Sequence, residues 1–328
     1  MILNGLKNTL DFYSEASTHQ KLFFLCFLIT WRISMVIEEP KVGLMIPTLN
    51  AGKCFETMLN CIENQKMANL RKIIIDSESD DNTRMIAKKH GFEVYNINRN
   101  QFTHGLVRRQ AVEILSDCDF IYFMTQDAYV HELAFSNLLH FMILHPRMMV
   151  AYGRQVVDVP GENYFDQKDR EFNYPEESRV KAKKDIPRLG IKTVFSSDTF
   201  SIYRREYLEN VGCFPKDVRF SEDMYIAARA INSDYEVGYC ADAVVTHTNG
   251  LNFREQFNRY YNIGKFHAQN KWIQKSFGSN EKDGITLVLT QTRELLHSNK
   301  LFKIPELYIR SFIKYSGYRI GKLWNSKE

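Results

Sequence analysis

Between residues 42 and 124 short apolar runs of strand length alternate with longer stretches of helical spacing, and this alternation constrains the fold more than any other feature. Residues 42–46, 72–76, 92–97 and 120–124 are the predicted strands; residues 55–64, 82–89 and 106–115 are the helices between them. Strand, helix, strand at this spacing gives an α/β fold, a mostly parallel sheet with helices on both faces. The last run, FIYFMTQDAY over residues 120–129, passes from five apolar residues to Thr125, Gln126 and Asp127. Ligands of open α/β sheets bind at the carboxyl ends of the strands, so these side chains are delivered to the place where chemistry occurs. Asp127 is then either the cap of a following helix or a working carboxylate.

A chain of 328 residues with 44% hydrophobic content can bury a large core in one domain or two. Its net charge of +4 is too small for its length to indicate a nucleic-acid partner. The six cysteines form no CxxC pair and no zinc-like spacing, which points to free thiols in a reducing compartment. Residues 22–30 are strongly apolar, but Arg32 interrupts the run before the roughly 20 residues a spanning helix needs. No basic region precedes the run and no small-residue cleavage site follows it, which argues against a signal peptide. An interfacial anchor, a packed helix and a segment upstream of the true start remain open.

No glycine-rich dinucleotide turn follows the first strand, where Pro47-Thr48-Leu49-Asn50-Ala51-Gly52 stands instead, and no Walker phosphate loop exists. A bound nucleotide therefore needs another cation, and a divalent metal on a carboxylate is the usual substitute, which returns attention to Asp127. Asp76 ends the second strand, and Asp80 or Asp81 caps the helix after it. Arg108 lies one to two turns into a helix, where it either faces a diphosphate or is solvated.

Beyond residue 144 the pattern loosens. Residues 150–157 read as a strand, and residues 160–190 as a polar loop carrying Arg179, Lys181, Lys183, Lys184 and Arg188. That cluster is either a solvated face or a loop that meets an anionic acceptor. Ser196-Ser197-Asp198 precedes the apolar stretch 199–203, and Ser221-Glu222-Asp223 opens a helix whose N-terminus favours acids in any case. Residues 235–240 and 243–248 read as two strands, and His247 is either a metal ligand beside Asp127 or a buried imidazole. Residues 253–272 form an aromatic-rich helix. Residues 304–324 form an amphipathic one, with Tyr308, Ile309, Phe312, Ile313, Tyr315, Ile320 and Leu323 on an apolar face and Lys303, Arg310 and Lys314 opposite. Such a helix packs on the domain or lies on an anionic membrane surface.

Six pieces in order, IPTLN, IIDSESDDNT, THGLVRRQA, TQDA, VGCFP and SEDMYIAARA, make residues 42 to about 250 resemble the family 2 glycosyltransferases of GT-A fold. The TQDA form and the preceding HG..R segment resemble the rhamnosyltransferase branch. The resemblance implies inverting transfer of L-rhamnose from dTDP-L-rhamnose to a lipid-linked or polysaccharide acceptor. A different donor such as a UDP-hexose, or a non-catalytic scaffold role, is the alternative. It makes Asp127 the last acid of the metal motif, with Thr125 in the place of the first, and His247 a possible second ligand for Mg²⁺ or Mn²⁺. Pro47, Thr48, Asn50, Asp76, Arg108 and Gln126 become nucleotide-binding candidates. Asp223 becomes the general base, Glu222 its support, and Arg259 a contact for the diphosphate or acceptor. The implied organisation is an N-terminal extension (1–38), a glycosyltransferase domain (39–275) and a C-terminal amphipathic helical extension (276–328). A polyprenyl-diphosphate-linked acceptor and a cytoplasmic protein, peripheral on the inner face of the cell membrane, complete the expectation.

Overall fold

The computed structural model describes residues 39–157, 164–247, 250–279 and 281–324; the apolar run at 22–30 lies outside them. Residues 41–328 form one compact unit. Its sheet contains β1 (Val42–Thr48), β2 (Leu70–Asp76), β3 (Glu93–Asn96), β4 (Phe120–Met124), β5 (Ala128–Val130), β6 (Met148–Val156), β7 (Arg179–Lys181), β8 (Phe200–Arg204) and β9 (Glu236–His247). The order is β3-β2-β1-β4-β8-β6-β9-β5, with β7 also paired to β9. The sheet is mixed rather than mostly parallel. From β3 to β4 every pairing is parallel, but β8 runs antiparallel to both β4 and β6, and β5 and β7 run antiparallel to β9. The regular strand and helix spacing that supported a parallel reading ends at residue 124, and the antiparallel strands all follow it.

Helices α1 (Phe55–Glu63), α2 (Thr83–Lys89), α3 (His104–Ile114), α4 (Ala134–Leu144), α5 (Tyr164–Asn173), α6 (Arg205–Asn210) and α7 (Glu222–Asn232) connect the strands. The period-2 geometry of a strand sends alternate residues of β4 to opposite faces. Phe120, Tyr122 and Met124 pack with α1 and α4, whereas Ile121 and Phe123 pack with α3 and α7. Both faces are therefore dry, which is why the strand reads as a continuous apolar run. The two strands expected at 235–240 and 243–248 are one strand, β9, interrupted by a register shift opposite Gly153 and Arg154 of β6. A Cβ at Gly153 would sit 2.4 Å from the Ala243 carbonyl, so glycine lets the irregular strand approach.

Within the polar stretch 160–190 the described residues, from 164 on, include α5 and β7. Lys181 of its basic cluster is buried, donating to the Tyr152 hydroxyl and to the carbonyls of Lys192 and Phe195. Burial, and then the charge of Arg179, push its pKa down to about 7. Lys183 pairs with Asp234 and Arg188 with Asp185, so the cluster is not a single free basic surface.

The chain closes with α8 (Phe253–Gln269), α9 (Lys271–Phe277), α10 (Glu281–His297) and α11 (Ile304–Trp324). The backbones of α8 and α11 meet through glycines. A Cβ at Gly264 would lie 2.2 Å from the Tyr318 carbonyl, at Gly317 2.6 Å from that of Phe257, and at Gly321 2.0 Å from that of Tyr261. The polar side of α11 faces inward: Arg310 pairs with Glu306 and Asp166, and Lys314 with Asp169. The apolar side faces solvent, with Phe312 70% and Leu323 63% exposed. Gly321→Ala should force the two backbones apart and cost about 1–3 kcal/mol, the scale of an overpacked contact. Thermal unfolding checks this, and an unchanged midpoint would show that the helices do not depend on close approach.

Candidate active site

The carboxyl ends of β1, β2 and β4 build one wall. Asp76 is fully buried, accepting hydrogen bonds from Thr48 Oγ1 at 2.8 Å, the Ser79 amide at 2.9 Å and Ser79 Oγ at 2.6 Å, with Arg84 Nε 3.6 Å away. Its carboxylate is thus turned into the loop and shapes the wall instead of reaching out from it. Thr48 is buried as its donor. Asn50 adopts φ 45°; its amide donates to Ser79 Oγ, and its Oδ1 accepts from the Asp80 amide. Gln126 grips the Leu49 peptide from the other side, accepting from its N–H at 2.9 Å and donating to its carbonyl at 3.1 Å. Pro47 lies on β1 immediately before these contacts. The N-cap of α2 is Asn82, which makes no side-chain cap, rather than Asp80 or Asp81; Asp81, one residue earlier, accepts from the Thr83 amide at 3.0 Å.

A second pole forms where β5 runs beside the end of β9, pairing Ala128 with His247. His247 Nε2 lies 3.3 Å from Asp127 Oδ1, and Nδ1 lies 3.1 Å from Gln155 Oε1. Burial opposes ionisation of half-buried Asp127, but the hydrogen bond and charge of His247 outweigh it, so the carboxyl sits below its usual range. The buried Thr125 hydroxyl is directed at the same carboxylate without meeting hydrogen-bond geometry. The hydrogen bond from His247 to Asp127 belongs to the form with Nε2–H; the other tautomer, which donates Nδ1–H to Gln155, turns an Nε2 lone pair toward Asp127 instead, and in that form two acceptors at this separation suit a shared cation. Among the described residues no cluster of three His, Cys, Asp or Glu side chains exists. One carboxylate and one imidazole fit a cation that takes its remaining oxygens from a ligand.

Sequence reasoning missed Arg170 here. This α5 side chain donates to Gln155 Oε1 and places Nη2 3.4 Å from His247 Nδ1. Gln155 in turn donates to the Tyr174 hydroxyl and to Ser197 Oγ. Burial raises the Tyr174 pKa, and Arg170, Arg259 and Asp223 all act electrostatically on it. The tyrosine thus lies within electrostatic reach of Arg170 beside His247, of exposed Arg259 and of Asp223.

The third component is buried charge. Arg108, 3% exposed, is neither solvated nor turned to a ligand: its Nε lies 2.7 Å from Asp198 Oδ2 and its Nη1 2.8 Å from Glu222 Oε1. The Arg108 and Asp198 atoms touch without hydrogen-bond alignment, so this contact is a charge pair. Asp198 Oδ1 accepts from Ser201 Oγ and the Tyr203 hydroxyl, each at 2.7 Å. Arg108 also donates to His104 Nδ1 at 3.2 Å; burial and that guanidinium drive the His104 pKa to about 3, leaving the ring neutral. Asp223 keeps some surface access but is densely surrounded by protein. Burial, then the charges of Glu222 and Asp198, push its pKa up to about 8. Burial raises that of Glu222 as well, against the pull of Arg108. An acid held this close to neutrality suits proton transfer.

Helix α3 holds this region in place. Gly105 N–H donates to the Val218 carbonyl, and a Cβ there would lie 1.9 Å from the Pro215 carbonyl oxygen. Arg109 donates to the carbonyls of Phe214 at 2.7 Å and Gly212 at 2.6 Å. The HG..RR and VGCFP segments are thus one clamp, and the chain leaves it directly into Glu222 and Asp223.

The pattern of Glycosyl transferase family 2 matches residues 44–212. The chain is 39% identical to the O-antigen chain rhamnosyltransferase RfbN of Salmonella typhimurium over 87% of its own length and 91% of the relative's. It is 37% identical to the O-antigen chain rhamnosyltransferase WbaN of Salmonella anatum over 88% and 91%. Solved structures of similar fold include the mannosyltransferase PcManGT of Pyrobaculum calidifontis in complex with GDP-Man and Mn²⁺, with TM-score 0.57, 14% identity and 93% of this chain matched to 96% of that one. S. aureus TarS 1-349 aligns with TM-score 0.53 and 16% identity over 88% and 92%. With the strand-end wall, the Asp127 pole and the buried acid pair on one GT-A sheet, the chain belongs to glycosyltransferase family 2 and is a glycosyltransferase.

Proposed function

We propose that this enzyme transfers L-rhamnose from dTDP-L-rhamnose to a growing O-antigen chain on a polyprenyl-diphosphate carrier, with inversion at the anomeric carbon. The observation that carries this reading is the match over nine-tenths of two relatives that bear that name. The geometry of the site supports this reading. Pro47, Thr48, Asn50, Asp76 and Gln126 shape the wall against which the nucleotide lies. Asp127 and His247 hold Mg²⁺ or Mn²⁺, which when bound neutralises charge gathering on the departing diphosphate. Arg170 adds a fixed positive charge at that pole, and Arg259 stands on the acceptor side. Asp223 takes the proton of the acceptor hydroxyl as its oxygen attacks the anomeric carbon; a β-L-rhamnosyl donor then gives an α-L linkage. Glu222, tied to Arg108, supports Asp223 and does not touch the acceptor.

The enzyme works at the inner face of the cell membrane in this reading. Among the described residues no helix is long and apolar enough to cross a membrane. The solvent face of α11 and the turn before it expose Phe302, Tyr308, Ile309, Phe312, Tyr315, Ile320 and Leu323, with Lys300 and Arg319 beside them. That composition suits an anionic lipid surface, where each basic residue contributes about 1 kcal/mol.

Calorimetry against a panel of nucleotide sugars should give tightest binding to dTDP-L-rhamnose, only with Mg²⁺ or Mn²⁺, and Asp127→Asn should remove the metal requirement together with most of the affinity. Asp223→Asn should abolish transfer and keep donor binding. Preference for a UDP-hexose would replace the sugar, and absence of metal-dependent binding would favour a scaffold.

The pH dependence has a defined sign. Transfer needs ionised Asp223, so kcat/KM should rise with pH through about 8, and Glu222→Gln should move that rise to lower pH by removing a neighbouring negative charge. Because the folded pKa is raised, the stability contribution is complete below the unfolded value near ~3.9 and is lost as pH rises through about 8. Asp223→Asn should therefore melt higher than the parent at pH above that value, a comparison thermal scans make directly.

Vesicles containing phosphatidylglycerol should sediment the enzyme. Phe302→Ser and Phe312→Ser should each weaken partitioning about tenfold without changing the melting midpoint. Equal partitioning of the variants would remove α11 as the docking face.

A further inference from the structure

Three charged side chains, Arg108, Asp198 and Glu222, meet in the interior beside Asp223, and only one of them belongs to the helix that carries it. A buried guanidinium between two carboxylates is costly to desolvate and is held by geometry, since removing one partner strands the others. Here the geometry joins separate elements. Arg108 comes from α3, Asp198 from the loop before β8, and Glu222 from the first residue of α7. Asp198 is itself fixed by Ser201 and Tyr203 of β8, a strand paired directly to β4. The Arg108 guanidinium also lies 5.9 Å from the centre of the Phe123 ring of β4.

The start of α7 needs such a tether. Ser221, immediately before it, adopts the left-handed conformation with φ 62° and provides no side-chain cap. The hydrogen bond from the Met224 amide to Asp223 Oδ1 spans adjacent residues and fixes the carboxylate only to its own helix. Glu222 is the link from this turn to the sheet.

We propose that Arg108 and Asp198 form a buried positioning pair that holds Glu222, and through it Asp223, in the placement required for deprotonating the acceptor. This rests on the reading of Asp223 as the base. The pair does not touch donor or acceptor; it acts through the first turn of α7. The charged and titratable groups that face Asp223 are Glu222 on its own helix, Arg108 with His104 on α3, Asp198 before β8, Tyr203 on β8 and Tyr174 after α5. His267 of α8 meets the Met224 sulfur at 3.5 Å, one residue further along. Arg108 favours the ionised base, and Asp198 and Glu222 oppose it.

The test compares full-length Arg108→Lys, Asp198→Asn and Asp223→Asn with the parent. Transfer of labelled rhamnose from dTDP-L-rhamnose is followed on membranes from source cells lacking this chain, where the acceptor accumulates. Arg108→Lys keeps the charge and loses the two-point grip. It should lower kcat about 10²-fold, the effect of a small misplacement, with donor KM within about twofold and the pH rise unmoved. Asp198→Asn should lower kcat and move the pH rise to lower values, because a negative neighbour is gone. Circular dichroism and melting give the folded fraction by which each rate is divided. Parent-like kcat in both variants, or losses that vanish after that division, would overturn the proposal. Transfer surviving in Asp223→Asn would instead overturn the base reading, and the proposal with it, whatever the other two variants show.

Discussion

A guanidinium loses several kcal/mol of hydration when it is taken out of water, and it stays in a protein interior only where carboxylates replace that hydration. Arg108 has two, Asp198 and Glu222, contributed by parts of the chain that no backbone ladder joins. Much of the surrounding arrangement follows from satisfying that one group. Tyr203 and Ser201 must donate to Asp198, Glu222 must open α7 facing inward, and His104 must stay neutral to accept from Arg108. The same negative neighbours hinder ionisation of Asp223. One buried network therefore both ties down the first turn of α7 and, together with burial, holds the Asp223 carboxyl above its usual range.

Helix α5 has a comparable role on the other side of the site. Asp166 and Asp169 bind Arg310 and Lys314 of α11, Gln291 of α10 donates to Asp169 at 3.0 Å, and Arg170, the next residue, reaches Gln155 and His247. Adjacent residues on one short helix thus contact the C-terminal helices and the Asp127 pole. The polar composition of this stretch, which by itself reads as a solvated loop, is the composition of a helix whose charged residues all have partners.

The strand ends were legible because their signal is local. FIYFM states a strand dry on both faces, and β4 begins and ends where that run does. Asp127 and His247 were read together from the sequence as candidate ligands of one cation, and the pairing of β5 with β9 sets their side chains 3.3 Å apart. Asp198 and Arg170 were not legible. Each is an ordinary polar residue beside others of its kind, and its importance lies in contacts 90 residues and 77 residues away in the chain, with Arg108 and His247 respectively. Arg108 was visible as a special residue but not its direction, since helical position does not say whether a side chain faces a ligand or two buried acids. The mixed sheet was hidden for a related reason. Strand direction after β4 depends on how irregular connections cross the fold, and apolar runs carry no sign of direction.

The last helix shows the limit of periodicity most directly. Spacing alone divides α11 into an apolar side and a basic side, and the simplest inference turns the apolar side inward. The opposite orientation holds because the inward surface is already supplied with carboxylates. Arg310 and Lys314 meet Asp166 and Asp169, while Gly317 and Gly321 bring the backbone against α8 at distances that large apolar side chains would prevent. Close backbone packing, ion pairing and the buried side chains of Leu307 and Tyr318 together fill the inner face, so Phe312, Tyr315, Ile320 and Leu323 are left outside. Amphipathicity fixes that a helix has two different sides; the charges and small residues of its neighbours decide which of them the protein keeps.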